Sequence, residues 1–409
     1  MNSTYMLPNR RHLLAGAAAT AATVAAPAIL RAQGGPLKVG VLLPRSGVQA
    51  GIGQDCQRGV EIAPDVLKAL GMPELTILNG DTESNVDTAR AHAEKLINDG
   101  AQLLIGAFDS GQTTALAQVT EQKGIPLVIN IASATQITEQ GYKFVVRNFP
   151  TAPMLLNDEL NSQKEIFALA GVAPKTAVFM HVNDLFGTQM SQGFHAMLPK
   201  YDLPYTIADE ISYDPGARDL SVEVTKAKAT NAEIIIVVGR LNDSMLITRE
   251  LIKQRWTPQA ILAMGPGWYD NPYTKTLGKM SDGPISLVPW YDPNKKLSQM
   301  LEAAMAKTFP DFNLNTNHVF TFEALLVAAD AYKRAGSTDP KALMEALHAT
   351  NIIDNATVGP GIKFDANGQN TGVKCSAVQN RGGKQVTVAP KEAANAKLEW
   401  PMKPYQDRA

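Results

Sequence analysis

Short apolar runs and amphipathic stretches alternate along most of the chain. The run 37–43 ends at Pro44 and predicts a buried strand, and helical spacing of apolar residues follows over 55–70. The same order of strand, turn and helix recurs up to residue 147 and restarts with a helix predicted over 154–170. This alternation, with short turns marked by Gly and Pro, predicts an α/β fold whose parallel sheets are covered by helices on both faces.

The last third of the chain predicts a group of helices followed by an antiparallel hairpin. The helices are predicted over 298–309, 320–336 and 340–348, and the hairpin pairs 373–379 with 385–388. No low-complexity linker separates the two α/β repeats. They are therefore expected to be two lobes joined by short crossing segments rather than domains on a tether.

The amino terminus has the pattern of an export signal. Arg10 and Arg11 precede an uncharged, Ala-rich stretch over 13–30, and Ala32 is the expected last residue of the signal. The arginine pair resembles a twin-arginine signal, so the mature chain is expected in the periplasm. The alternative is a retained membrane anchor, since the stretch is about long enough to span a bilayer.

Composition and charge exclude several classes of function. The net charge of −1 becomes −4 when the three arginines of residues 1–32 leave with the signal, so no basic surface for nucleic acid or anionic lipid is expected. The remaining chain is too long for one hydrophobic core, which favours two domains. Cys56 and Cys375 are far apart in sequence, and either a disulfide or two free thiols is compatible with an oxidising compartment.

Motifs for catalysis or cofactor binding are absent from the sequence. Gly51 and Gly53 are followed by Gly59, which does not match the spacing of a dinucleotide-binding loop, and no phosphate-binding P-loop or Ser nucleophile elbow is present. The six histidines do not cluster, and neither cysteine belongs to a metal-binding pattern. No enzyme activity, cofactor or metal is therefore expected.

Several short motifs stand in a consistent order along the chain. They are the strand and Ser-Gly turn at 38–47 with Gly53 and Gly59, Ile105-Gly106 followed by Ser110, 124–128 followed by Ala132-Ser133, the loop 183–187, and Phe364-Asp365 with Gly368. Together they resemble the periplasmic Leu/Ile/Val-binding receptors of bacterial ABC importers. The resemblance covers essentially the whole chain after the signal.

This resemblance implies a type I periplasmic binding protein: two Rossmann-like lobes joined by three crossings, with the ligand in the cleft between them. Lobe I is then expected at 36–148 plus 277–355, and lobe II at 149–276 plus 356–409. The implied function is to bind a small organic solute, an amino acid or a related carboxylate or amide, and to deliver it to an ABC permease as a monomer. The alternative is a periplasmic receptor that reports its ligand to a membrane signalling protein.

In lobe I the resemblance implies that Ser110, Ala132 and Ser133 hold the carboxylate of the ligand. Both serines follow predicted strands and precede predicted helices, where free N–H groups favour an anion. The alternative for both serines is helix capping, and Ser133 with Gln136 fits a capping box.

In lobe II the predicted ligand contacts are Phe186, Arg240 or its neighbour Leu241, Trp268 and Tyr269. The resemblance also implies an acidic residue for the ligand's ammonium group, but this chain has Gly267 at that position. The glycine is expected to leave room beside two stacking aromatic rings, so that the pocket accepts ligands other than aliphatic amino acids. The alternatives are that Arg240 is a solvated surface residue and that the two aromatics pack against the hinge.

Overall fold

The computed structural model describes residues 35–408. The predicted export signal at 1–32 lies outside the described residues, so its cleavage and export route stay predictions. None of the helices within the described range is long and apolar enough to cross a bilayer. The described chain from Pro36 onward packs as one unit that contains two large sheets.

The first sheet, with the helices packed on it, forms lobe I. Its strands are all parallel, and all except the edge strand β2 are mostly buried, because helices cover both faces. The strands are β1 (Leu37–Leu43), β2 (Leu75–Asp81), β3 (Leu103–Gly106), β4 (Leu127–Ile129) and β5 (Val145–Arg147). The helices between them are α1 (Ala50–Ala69), α2 (Val86–Asn98), α3 (Ser110–Lys123) and α4 (Gln136–Glu139). The strand order is β2-β1-β3-β4-β5.

The chain then enters the second sheet, which with its helices forms lobe II. Its helices are α5 (Ala152–Ala170), α6 (Leu185–Met197), α7 (Ser221–Ala229), α8 (Leu241–Lys253) and α9 (Asn271–Leu277). Its first strands are β6 (Thr176–Val182), β7 (Thr206–Tyr213), β8 (Ile234–Val238), β9 (Ala260–Ala263) and β10 (Ile285–Pro289).

After β10 the chain returns to lobe I as a helical group and then crosses back. The helices are α10 (Lys296–Thr308), α11 (Thr316–Ala335) and α12 (Pro340–His348), and α11 packs on α1, β3 and β4. A small ribbon follows, β11 (Asn351–Ile352) with β12 (Ile362–Lys363), and the last strands are β13 (Cys375–Arg381) and β14 (Lys384–Ala389). The second sheet has the order β14-β13-β10-β9-β8-β6-β7.

The predicted lobe boundary needs one correction. The sequence-based boundary placed 277–355 in lobe I, but β10 pairs in parallel with β9 and antiparallel with β13, inside the lobe II sheet. An apolar run of five residues identifies a strand but not its partners, which only the pairing decides. The predicted hairpin is present as β13 and β14, and its turn uses Gly382 and Gly383 at φ +56° and +76°.

Candidate functional site

A cavity lies between the two lobes, where strands from both sheets end. The empty space at this place is about 540 Å³, a figure that includes volume open to solvent. The residues that line it follow the carboxyl ends of parallel strands in each lobe, which is where ligands bind in folds of this type. Much of its wall is apolar, with Phe108, Ile131, Phe149, Leu155, Phe186 and Met264 among the lining residues.

Six of the seven predicted site residues line this cavity. They are Ser110, Ala132, Ser133, Phe186, Arg240 and Tyr269. The structure therefore brings together residues that are up to 159 positions apart in the sequence. Their contact with a ligand stays a prediction.

The two serines of lobe I do not cap helices. Asp109 is the N-cap of α3, and its Oδ1 accepts hydrogen bonds from the backbone N–H groups of Gly111 and Gln112 at 2.9 and 3.1 Å. The N-cap of α4 is Thr135, which makes no side-chain cap bond, so the capping box expected for Ser133 does not form. The Ser133 hydroxyl makes no hydrogen bond within the described residues and is available to a ligand.

Ser110 has a second role in the loop that carries Ser133. Its hydroxyl oxygen accepts a hydrogen bond from the backbone N–H of Ala134 at 3.3 Å. The buried guanidinium of Arg147 also holds this loop, because it donates hydrogen bonds to the carbonyl oxygens of Ala132 and Ala134 at 3.0 and 2.8 Å. These bonds fix the backbone on both sides of Ser133.

Arg147 also ties this loop to the segment between β12 and β13, where the chain crosses back from lobe I to lobe II. Its Nε donates to Gln369 Oε1 at 2.7 Å, and the Gln369 amide donates to the carbonyl oxygen of Phe149, a cavity residue, at 2.8 Å. A planar guanidinium with several donors can serve all these acceptors at once, which a lysine could not. The cavity wall of lobe I is thus linked directly to a segment that connects the two lobes.

Arg240 is buried at the cavity rather than solvated. Its guanidinium forms an ion pair with Asp184 of lobe II, and its Nη2 lies 3.1 Å from Asp109 Oδ2 of lobe I. Burial would lower the pKa of Arg240, but the surrounding carboxylates, Asp184 first, outweigh this and raise it. The guanidinium also lies 5.2 Å from the centre of the Phe186 ring, within the range of a cation–π contact.

These contacts change the role predicted for Arg240. With two carboxylates already bound, its guanidinium is not a free clamp for a ligand carboxylate. Its contact with Asp109 instead joins the lobes. Leu241, the alternative considered from the sequence, also contacts lobe I. Its side chain packs so closely on Gly51 of lobe I that a Cβ added to Gly51 would lie 2.5 Å from Leu241 Cδ2.

Trp268 does not line the cavity, and the prediction that it would is wrong. Its ring is fully buried in the core of lobe II, 6.5 Å from that of Tyr273, and its backbone carbonyl accepts a hydrogen bond from Asn380. Tyr269 does face the cavity, and its ring packs edge-on against that of Trp290, with the two ring centres 5.3 Å apart. The two rings leave a turn, closed by a hydrogen bond from the Asp270 N–H to the Gly267 carbonyl oxygen at 3.3 Å, and pack in different places, so only Tyr269 faces the cavity.

Gly267 does not leave empty space beside these rings. Its φ is +116°, and a Cβ at this position would lie 2.6 Å from the backbone C and O atoms of Arg240. An acidic side chain therefore cannot occupy the position without moving the loop that carries Arg240. Asp270 does not replace it, because its Oδ1 accepts a hydrogen bond from Asn317 at 2.9 Å and it is not among the lining residues.

The periplasmic binding protein family model matches residues 36–384, most of the chain. The chain belongs to this family. Family membership implies a periplasmic location, and the family is one of ligand-binding receptors rather than enzymes. The family predicted from the sequence motifs is therefore confirmed.

Curated relatives of this periplasmic binding protein have names of the same type. It is 26% identical over 429 residues to Leu/Ile/Val-binding protein homolog 7 of Brucella abortus, covering 96% of this chain and 100% of that one. It is 27% identical over 380 residues to Leu/Ile/Val-binding protein homolog 8 of the same organism, and the match covers 89% of this chain and 93% of that one.

Solved structures share the two-lobed type I fold. A leucine-binding protein from Thermotoga maritima has a TM-score of 0.75 at 20% identity, covering 86% of this chain and 98% of that one. A branched-chain amino acid transporter substrate-binding protein from Streptococcus pneumoniae, solved with isoleucine, has a TM-score of 0.73 at 17% identity. The match covers 87% of this chain and 100% of that one. A solute-binding protein from R. palustris, solved with benzoate, has a TM-score of 0.72 at 20% identity, and the match covers 89% of this chain and 100% of that one. At these identities the likeness establishes the fold.

The sequence-based search missed Glu159, which also lines the cavity. Glu159 lies within α5 on the face that buries Leu155, Leu156 and Gln163, and only 1% of its surface is exposed. Burial raises its pKa well above the ordinary value, and the nearby Asp158 adds to this. An acid on the apolar face of an amphipathic helix was the available signal, because a purely structural position there would hold an aliphatic side chain.

The two cysteines of this periplasmic binding protein are both free and buried. Cys56 lies in α1 of lobe I and Cys375 in β13 of lobe II. Burial raises the pKa of both thiols, so each stays protonated and unreactive. Of the two possibilities left open by the sequence, the structure has the unpaired one.

Proposed function

We propose that this periplasmic binding protein binds a small organic solute in the interlobe cavity and delivers it to an ABC permease. One observation carries the proposal: a largely apolar cavity whose wall combines Ser110 and Ser133 of lobe I with Phe186 and Tyr269 of lobe II. A ligand that contacts both walls stabilises the closed arrangement, which a membrane partner can distinguish from an open one.

The proposed solute is an amino acid or a related carboxylate or amide. The free hydroxyl of Ser133 and the neighbouring loop can bind a polar head group, and the aromatic rings can cover an apolar body. The names of the similar proteins support this range, since the solved structures include a leucine-binding protein and complexes with isoleucine and with benzoate.

Export by the twin-arginine route is part of the proposal and rests on Arg10 and Arg11. Replacing both with lysine should block the appearance of mature protein in the periplasm if this route is used. Mature protein at normal levels from the double-lysine chain would show that another route exports it.

The binding function is tested by thermal unfolding of the exported protein against aliphatic and aromatic amino acids, aromatic carboxylates, short organic acids and amides. A ligand at a hundred times its Kd should stabilise the fold by about 2.7 kcal/mol. The radius of gyration from X-ray scattering should fall on addition of the same ligand. The proposal fails if no compound stabilises the protein and mass spectrometry of the denatured protein finds no co-purified solute.

Delivery to a permease is tested separately by uptake. A strain that lacks this protein should lose high-affinity uptake of the solute found above and regain it on complementation. Normal uptake together with a lost cellular response to the solute would favour the signalling alternative.

A further inference from the structure

Glu159 is a buried acid that has no hydrogen-bond partner among the described residues. Its Oε2 has no hydrogen-bond partner, and the side chain lines the cavity. The buried Glu323 differs, because both of its carboxylate oxygens are paired: it accepts hydrogen bonds from the backbone N–H groups of Ala356 and Thr357 at 2.8 and 3.1 Å and from Asn148 at 3.2 Å. An unpaired buried carboxyl lowers stability, so its presence at a cavity wall indicates a partner that comes with the ligand.

The charges at the cavity point to the same kind of partner. Among the described residues that line the cavity, Glu159 and Arg240 alone have acidic or strongly basic side chains. Arg240 is already bound by Asp184 and Asp109, so residues 35–408 provide the cavity with a free acid but with no free cation. A second unpaired acceptor, Oδ1 of Asn317, belongs to another lining residue. Both features are complementary to a ligand that donates hydrogen bonds from a positive nitrogen.

We propose, on the basis of the receptor function above, that Glu159 binds a positively charged nitrogen of the solute and makes the cavity selective for amines with an apolar body. The acid then comes from α5, because the loop at Gly267 has no room for one. The Ser133 hydroxyl is left for a second polar group of the solute, such as a carboxylate.

Ligand binding then has a characteristic proton balance. Burial raises the pKa of Glu159, so in the empty cavity the carboxyl stays protonated at pH values above those at which an exposed glutamate ionises. A ligand ammonium favours the ionised form, so the carboxyl loses its proton to solvent when the pair forms. Binding of an amine therefore releases a proton and becomes tighter as pH rises, until Glu159 is ionised in the free protein as well.

The test uses matched pairs of compounds that differ in the amino group: L-leucine with 4-methylpentanoate, and L-phenylalanine with 3-phenylpropionate. Isothermal titration in buffers of different ionisation enthalpy measures affinity and proton release together. The wild-type protein should prefer the amine of a pair and release a proton. Glu159→Gln should weaken binding of the amine roughly 10- to 100-fold, abolish the proton release, and leave the deaminated compound unaffected.

The variant is expected to fold, because Glu159 makes no hydrogen bond that glutamine would break. Its melting temperature without ligand should equal or exceed that of the wild type. Glu323→Gln is the matched control: it also neutralises a buried glutamate, but outside the cavity, and should lower the melting temperature without changing the preference for amines.

Several results would overturn the inference. Equal or tighter wild-type binding of the deaminated compounds would reject the role of Glu159 while leaving the receptor function in place. Unchanged amine affinity in Glu159→Gln would do the same. Absence of binding in both series, with no co-purified solute, would reject the receptor function and this inference with it.

Discussion

Arg240 Nη2 of lobe II lies 3.1 Å from Asp109 Oδ2 of lobe I. The same carboxylate oxygen accepts a hydrogen bond from Gln49 at 2.9 Å, while the other oxygen caps α3. One aspartate therefore fixes the helix that carries Ser110 and holds the opposite lobe. A change in the distance between the lobes must break this contact, which couples the cavity to lobe closure.

Replacing Asp109 with asparagine should weaken closure without unfolding α3. Asparagine caps helices as well as aspartate does, but it removes the charge that faces Arg240. We expect ligand affinity to fall by roughly 1–3 kcal/mol and the ligand-free radius of gyration to rise, measured by titration calorimetry and X-ray scattering.

Asp65→Asn is the control for this variant. It removes a pair with Lys307 at 3.3 Å, in which both side chains are more than three-quarters exposed, so neither measurement should change. If Asp109→Asn behaves like the control, the ion pair between the lobes does not contribute to closure.

The two cavity serines should respond differently to substitution by alanine. Ser133→Ala removes a hydroxyl that has no partner in the part of the chain that the structure describes, so it should weaken ligand binding by roughly 1–3 kcal/mol and leave the melting temperature unchanged. Ser110→Ala also leaves the N–H of Ala134 without its acceptor, so it should lower the free energy of unfolding by about 1–3 kcal/mol. Equal melting temperatures for the two variants would contradict this assignment.

Gly267→Ala should be strongly destabilising. The added Cβ would meet the backbone of Arg240 at 2.6 Å, and φ of +116° is unfavourable for any side chain. We expect a loss of roughly 2–5 kcal/mol in urea unfolding, from backbone strain and overpacking together.

Gly171→Ala provides the comparison for strain alone. Gly171 has φ +65° at the C-cap of α5, and a Cβ there meets nothing within 4 Å, so the loss should be about 1–2 kcal/mol. A Gly267→Ala variant no less stable than Gly171→Ala would show that the loop can move away from Arg240.

Asp243 should make stability depend on pH in an identifiable window. Its carboxylate accepts a hydrogen bond from the backbone N–H of Arg240 at 2.8 Å, and burial raises its pKa from 3.8 to about 6. An acid whose pKa is higher in the folded state favours folding when protonated. Its contribution is complete below pH 3.8 and is lost as pH rises through about 6.

Asp243→Asn should remove this dependence, because the amide oxygen can still accept the hydrogen bond but does not ionise. The stability of the variant relative to wild type should increase by about 3 kcal/mol between pH 3.5 and pH 7, measured by urea unfolding at each pH. A stability difference that is constant over this range would show that Asp243 does not titrate there.

The candidate site was partly readable from the sequence, and the physical reason is the topology of parallel sheets. Residues that follow strand ends meet at one edge of a sheet, so Ser110, Ser133 and Phe186 could be named without knowing any distance. Glu159 was missed: its position on the apolar face of α5 marks it as buried, but only the packing of α5 against the rest of lobe II turns it toward the cavity.

By itself the sequence determined the order of strands and helices, the hairpin at Gly382-Gly383 and the family, because periodicity and turn residues act over a few positions. The tertiary structure decided the sheet of β10, the burial of Trp268, the free state of Cys56 and the partners of Arg240. Each of these depends on which distant segments come together, and that choice is made by packing and pairing across the whole chain rather than by local pattern.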